Sequence, residues 1–252
     1  ARDGWVRIAH LSPQAPAMDM YVYPFGNPGR PLVLKDVSYG AVSAYMAVSP
    51  GQYTVAMRGF GAPASSKPAL TTSFMVSAGA AYTLAALGPD PGLRTEVLKD
   101  QMTTPAGKAV VRVLQASLKQ HLVTVSYGPD VLSRQLGFGS TTSYMAVAPG
   151  TRTVTFTAAG KQMSKAVKLA PDTVHTLVVL DGSSGLQVNA LTDAAGSEMM
   201  PMGGVNTGFG GIAPRPPANP VPWLLTIAAG TLLTVASLAR LRRSRRTAAA
   251  RH

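Results

Sequence analysis

Thirteen residues are stated twice in this chain: SAYMAVSPGQYTV at 43–55 and TSYMAVAPGTRTV at 142–154, 99 positions apart. The correspondence reaches well beyond that stretch. Val6-Arg7-Ile8 matches Val111-Arg112-Val113 at an offset of 105, and VSAGAAYTLAAL from Val76 matches LAPDTVHTLVVL from Leu169 at 93. LRTEVLKD from Leu93 matches LQVNALTD from Leu186, also at 93. The offset falls in two steps, so the second copy lacks a few residues in two places, as loops between independently folded domains tolerate. A period near 100 is too long for a solenoid unit and suits a tandem of small domains. The matches predict domains over 3–101 and 107–193.

Within each copy the apolar residues alternate. Tyr53, Val55 and Met57 interleave with Gln52, Thr54, Ala56 and Arg58, and Val154 and Phe156 interleave with Thr153, Thr155 and Thr157. A period of two puts one set on a core and the other in water, which is a half-buried strand. The runs 82–87 and 175–180 are nearly all apolar, as a central strand is. Ser49-Pro50-Gly51 and Ala148-Pro149-Gly150 mark tight turns, proline setting φ and glycine free to take φ > 0. Short strands at this spacing predict a β-sandwich of about seven or eight strands per copy. No helical period of useful length precedes Val221.

Charged residues make up 13% and hydrophobic ones 46%, which argues against disorder. The absence of cysteine excludes disulfides, thiolate metal sites and cysteine nucleophiles. The net charge of +12 is unevenly placed: six arginines crowd 240–252, while 1–239 carries 17 basic and 11 acidic side chains. No basic stripe with interleaved aromatics occurs, so the charge does not point to nucleic acid.

From Val221 to Ala239 run nineteen residues without a charge. As a helix they would measure roughly 28 Å, close to the ~30 Å hydrocarbon core of a bilayer. Pro222 falls in the first turn, Trp223 sits where an interfacial aromatic belongs, and Arg240, Arg242, Arg243, Arg245 and Arg246 follow at once. These features predict a single transmembrane helix over 221–239 with a basic cytoplasmic tail at 240–252, everything before it outside the membrane, and a leader removed upstream of Ala1. The stretch 194–220 is expected to be a flexible linker, Gly/Pro-rich from 197 onward. Within it, Val205, Asn206, Thr207 and Gly208 precede the apolar stretch. That order resembles the sorting signal of Gram-positive surface proteins handled by sortases, with Gly204-Val205 where the signal has Leu-Pro. The resemblance implies cleavage at Thr207–Gly208 and transfer to a wall amine. A permanent membrane anchor remains the other reading.

The opening VRIAHLSPQAPAMDMYVY resembles that of a bacterial family known as domain of unknown function 4397, whose members often begin RxxHxSPDAPxVDVY. The family's later YGxxSxYxxVxPGxYTV matches Tyr39-Gly40, Ser43, Tyr45, Val48, Pro50-Gly51 and Tyr53-Thr54-Val55. The likeness spans 5–193 as two copies, strong in the first and degraded in the second. It implies immunoglobulin-like sandwiches, secreted or surface-attached and often in tandem. In actinobacteria it implies a terminal span with an arginine tail. It implies no established activity.

His10, Ser12 and Asp19 lie within this motif and could serve a hydrolytic enzyme with a loop-borne site. Copy two carries Gln115, Ser117 and Thr124 there, so a structural account is favoured, in which Pro13 and Pro16 stiffen the loop and Asp19 accepts local N–H groups. His121, His175 and His252 show no metal spacing. Glu96 and Glu198 are the two glutamates of the whole chain, so a paired-carboxylate site would have to come from aspartates on distant loops. Met199, Met200 and Met202 have no histidine beside them to complete a copper site. The expectation is a cell-surface protein with a spacer or adhesin-like role, no catalytic activity and no cofactor. Its expected contacts are the bilayer, a sortase and anionic wall polymers, with no nucleic acid or small-molecule substrate.

Overall fold

The computed structural model describes residues 2–195 and the backbone of 200–201. The expected span at 221–239, Trp223, the arginine tail and the 205–208 motif lie outside the described residues. Among the described residues every regular element is a strand, and no helix is long and apolar enough to cross a membrane.

The first copy contributes eight strands: β1 (Gly4–His10), β2 (Met18–Pro24), β3 (Leu32–Val37), β4 (Met46–Val48), β5 (Gly51–Gly59), β6 (Leu70–Val76), β7 (Ala81–Leu87) and β8 (Arg94–Asp100). The second repeats them as β9 (Ala109–Gln115), β10 (Leu122–Tyr127), β11 (Asp130–Gly137), β12 (Met145–Val147), β13 (Gly150–Ala158), β14 (Lys161–Leu169), β15 (Thr173–Asp181) and β16 (Leu186–Ala195). Each copy builds two sheets. In copy one these are β4-β1-β7-β8 and β3-β2-β5-β6; in copy two, β12-β9-β15-β16 and β11-β10-β13-β14. A two-residue strand, β17 (Met200–Pro201), pairs with the end of β16 within the stretch expected to be linker.

Most pairings are antiparallel hairpins, but β1 runs parallel to β7 and β9 parallel to β15. Pro50-Gly51 and Pro149-Gly150 open β5 and β13. Their glycines adopt φ of 153° and 126°, a region closed to side chains carrying Cβ.

The two sheets of each copy enclose a separate apolar core. In copy one Ile8, Met20, Val55, Met57 and Leu84 fill it; in copy two Val113, Val125, Val154, Phe156 and Leu177 do so. The predicted alternation is visible in β13, where Val154 and Phe156 are buried and Thr153 and Thr157 exposed. In β5, Thr54 and Ala56, expected to face water, are buried along with Val55 and Met57 because both sides of that strand are covered. β7 and β15 differ: all seven residues of the first and all nine of the second are buried. One face of each strand meets its own core. The other face meets the other copy, so the copies share a buried joint and both lie within one compact unit, Ala1–Gly210. Independently folded domains were the expectation; the doubly buried strands explain the difference.

Candidate functional site

The joint is assembled from residues that β strands hold at fixed register. Arg7 is central on β1, Thr83 lies opposite it on β7, and Asp100 ends β8. Arg112 and Thr176 occupy the same places on β9 and β15, and Asp193, the sequence equivalent of Asp100, sits at a bulge two residues before the end of β16. Tyr45 and Tyr144 precede β4 and β12.

These residues bond in a ring that crosses between the copies. Arg7 Nε donates to Thr83 Oγ1 at 2.8 Å, and Thr83 Oγ1 donates to Asp100 Oδ2 at 2.6 Å. Asp100 Oδ1 accepts from the Arg112 guanidinium of the second copy. Arg112 Nε donates to Thr176 Oγ1 at 2.9 Å, and Thr176 Oγ1 donates to Asp193 Oδ2 at 2.6 Å. Asp193 Oδ1 accepts from Arg7, closing the ring. Tyr45 Oη donates to Asp100 at 2.6 Å and Tyr144 Oη to Asp193 at 2.9 Å. Each guanidinium carbon also sits 4.6 Å from the centre of the tyrosine ring of its own copy, within cation–π range.

Arg7 and both carboxylate side chains are fully buried, and Arg112 nearly so. Burial alone would lower the Arg7 pKa, but Asp193, Tyr45 and Asp100 outweigh it and the net direction is up. Burial above all pushes the Tyr45 and Tyr144 phenols far above their ordinary value, so both remain neutral donors. Two cations and two anions thus neutralise one another with their hydrogen-bonding groups engaged, the condition under which buried charge is tolerated.

Around the ring lies an apolar contact to which each copy gives five buried residues: Ala9, Leu11, Val42, Ala85 and Leu87 against Leu114, Ala116, Val178, Leu180 and Leu191. Sizes are exchanged between equivalent positions, since Ala9 corresponds to Leu114 and Leu11 to Ala116. Burying a Leu or Val side chain contributes about 1.5–3 kcal/mol, whereas a buried ion pair nets close to nothing against apolar residues of the same volume. The apolar contact therefore supplies the adhesion and the charged ring sets the orientation. At the rim, Tyr39 Oη donates to the Asp181 carbonyl at 3.1 Å and accepts from the Asp181 N–H at 2.8 Å, and burial pushes its phenol pKa up to about 12. Its counterpart Phe138 has no hydroxyl and lies beneath Arg94, 5.2 Å from the guanidinium carbon.

The residues of the motif that suggested catalysis are occupied otherwise. His10 accepts the Ser12 N–H at Nδ1 and contacts the Pro16 carbonyl through Nε2 at 2.9 Å. Ser12 Oγ donates to the Gly88 carbonyl at 2.6 Å and accepts from Ala15 N–H. In copy two Gln115 makes the equivalent pair: Oε1 accepts the Ser117 N–H at 2.7 Å and Nε2 donates to the Gln120 carbonyl. Asp19 accepts N–H groups from Asp36 at 3.0 Å and Gly61 at 3.3 Å, with Lys35 Nζ at 3.3 Å. Burial would raise its pKa, but those donors and the Lys35 charge hold it below the usual carboxylate value. No two of His10, Ser12 and Asp19 form a nucleophile–base–carboxylate relay; they pin the loops around β2.

His175, on β15, contacts Thr173 Oγ1 through Nε2 at 2.6 Å, and burial lowers its pKa. Among the described residues no three His, Asp or Glu side chains gather as a metal site. The candidate sorting residues Val205, Asn206, Thr207 and Gly208 and the anchor flank lie outside the described residues. Sequence reasoning missed the ring, although its signal was present. Arg7/Arg112, Tyr45/Tyr144, Thr83/Thr176 and Asp100/Asp193 all fall at matched positions, and the arginines sit inside otherwise apolar strands.

A family model described as Domain of unknown function (DUF4397) matches residues 4–126 and 109–199. No curated protein matches the chain. Among solved structures, the C-terminal domain of AlgF from P. aeruginosa is 23% identical, covering 34% of this chain and 98% of that one, at a TM-score of 0.28. The Bacillus anthracis TIE protein is 10% identical over 77% of this chain and 44% of its own, at 0.25; the chain thus spans under half of that protein. A candidate cell adhesion protein from Bacteroides uniformis is 9% identical over 75% and 96%, also at 0.25. Superpositions this loose carry no argument about fold or function.

Proposed function

For a chain that belongs to the family described as Domain of unknown function (DUF4397), we propose a non-catalytic role at the bacterial cell surface: a structural or binding protein whose two sandwiches act as one rigid body. The observation that carries this reading is the joint. A ring of six buried side chains, closed across the copies and joined by the half-buried Tyr45 and Tyr144, is filled by its own hydrogen bonds and serves to hold two sheets at one angle. A spacer or adhesive module gains from such stiffness, because a partner meets a surface already in its final shape. His10, Ser12 and Asp19 support the same reading, since their polar atoms are engaged in bonds that shape loops.

Display outside the membrane rests on the apolar stretch 221–239 followed by five arginines within 240–246. Protease treatment of intact cells tests it. Loss of the folded part with retention of a fragment containing the arginines is expected; full protection in intact cells and cleavage only after lysis would sink it. Linkage to the wall through Thr207 is the second reading, favoured by the order of motif, apolar stretch and basic tail. Mass spectrometry of the mature C-terminus separates the two. A chain ending at Thr207 means sorting, and an intact Arg251-His252 end means a permanent anchor.

A further inference from the structure

Most of the outer edge of β16 has no strand beside it among the described residues. β17 pairs with Ala194 and Ala195 alone, which leaves the edge from Leu186 to Asp193 bare. A bare edge presents N–H and C=O groups without partners, and natural sheets charge or cover such edges. Here a side chain meets one of them: Lys165, on β14 of the facing sheet, reaches across the open side of the sandwich and donates from Nζ to the Val188 carbonyl at 3.0 Å. Beside it lies a groove of about 350 Å3, lined by 165–168 of β14 and 188–190 of β16. Its residues are not dictated by the repeat, since copy one has Thr72 where copy two has Lys165, Met75 for Lys168 and Glu96 for Asn189.

The chain itself supplies an occupant, through the ladder already begun by β17. That strand runs antiparallel to β16, Met200 facing Ala195 and Pro201 facing Ala194, so its direction aims the following residues along the bare edge toward Leu186. Carried on in the same register, Met202 faces Asp193, Gly203 and Gly204 face Thr192 and Leu191, and Val205, Asn206 and Thr207 face Ala190, Asn189 and Val188. The two glycines fall beside the bulge, where the pairing of β16 with β15 passes over Asp193. A stretch without Cβ atoms follows such a bend most easily. Side chains alternate along a strand, and Val188 belongs to the copy-two core. Val205 and Thr207 therefore enter the groove, against Val167 and Val188, and Asn206 turns to the side of Asn189. The Thr207 N–H takes the carbonyl that Lys165 holds.

We propose that 202–208, which lie outside the described residues, dock on β16 as an added strand, so that copy two itself holds the Thr207–Gly208 bond and shields it until the strand is released. Strand addition to a free edge is a general way for a sheet to take up an extended peptide, backbone bonds giving affinity and side-chain pockets giving register. An enzyme that cleaves a peptide must close around it, and a bond backed by a sheet is out of its reach. The purpose of that shielding rests on the wall-sorting reading above; the docking does not.

The chain has no cysteine, so an introduced pair reports the register. The Val188 carbonyl points out of the edge, so Asn189 points its own toward β15. Positions 189 and 206 then form the close, non-hydrogen-bonded kind of pair, about 4.5 Å between Cα atoms and within disulfide reach. In the purified full chain, in nonionic detergent, Asn189→Cys/Asn206→Cys is expected to oxidise to an internal disulfide about ten-fold faster than Gln187→Cys/Asn206→Cys, whose partner is two residues out of register. Adding Val205→Asp is expected to remove that advantage, and adding Lys165→Met, which clears the Val188 carbonyl, to preserve it. Without any cysteine, the Thr207 amide is expected to exchange its hydrogen about ten-fold more slowly in the natural sequence than in Val205→Asp. Equal oxidation rates, disulfides between molecules in place of the internal one, or equal exchange would each overturn the proposal. None of these readouts depends on sorting. A specific disulfide in a protein whose mature end is Arg251-His252 removes wall sorting and leaves the docked strand, and equal rates in one that ends at Thr207 do the reverse.

Discussion

His10 and Gln115 hold equivalent positions and make equivalent bonds, one nitrogen or oxygen accepting an N–H two residues on and the other group meeting a loop carbonyl. His10→Gln is therefore expected to fold normally, while His10→Ala leaves loop groups unpaired and costs about 1–3 kcal/mol in denaturant melts. Burial depresses the folded-state pKa of His10, so only the unfolded chain takes up its proton just below the ordinary value of about 6.5. The histidine's contribution is complete above that pH and is lost as pH falls toward the depressed value. Stability measured against pH should decline less steeply there in His10→Gln, with the remainder owed in part to His175, which is shifted the same way. In the ring, Arg7→Met strands Asp193 without its cation and is expected to cost about 3–5 kcal/mol. Arg7→Met/Asp193→Asn removes both charges and should recover most of that loss. If the double variant is as unstable as the single one, the ring does more than balance charge.

At the scale of strands, β13 was legible because alternation is a local property: Val154 and Phe156 must face one way whatever lies across the core. On β5, Val55 and Met57 face the core as expected, but Thr54 and Ala56 on the other side are buried too. The apolar runs that became β7 and β15 read equally as central strands, but their second buried face could not be assigned. Thr83 and Thr176 interrupt those runs at the point where the joint is polar. The consequence is measurable. Leu177 faces the copy-two core and Leu180 faces the other copy. Leu177→Ala and Leu180→Ala should each cost about 2–5 kcal/mol. A solvent-facing Leu180 would instead give a change within about 0.5 kcal/mol, and that result would dissolve the joint.

As a whole molecule the described part should behave as one body. The chain has no cysteine, so spin labels on Lys67→Cys and Lys161→Cys report a single pair, one in each copy. A narrow distance distribution is expected, unchanged between low and high salt because the ring is shielded from solvent ions. A broad distribution would make the copies independently mobile and remove the rigid-body function. By itself the sequence determined that there are two copies, that both are all-β, and which residues alternate inward, because repeats and strand periods are written along the chain. It also placed an arginine, a threonine, a tyrosine and an aspartate at matching positions of each copy. It left open which aspartate answers which arginine. Arg7 and Asp100 share one sheet, two strands apart, so pairing within a copy was as compatible with the repeat as pairing between copies. Only the packing of sheet on sheet decided for Asp193, because that contact joins residues 186 positions apart and no local pattern specifies it.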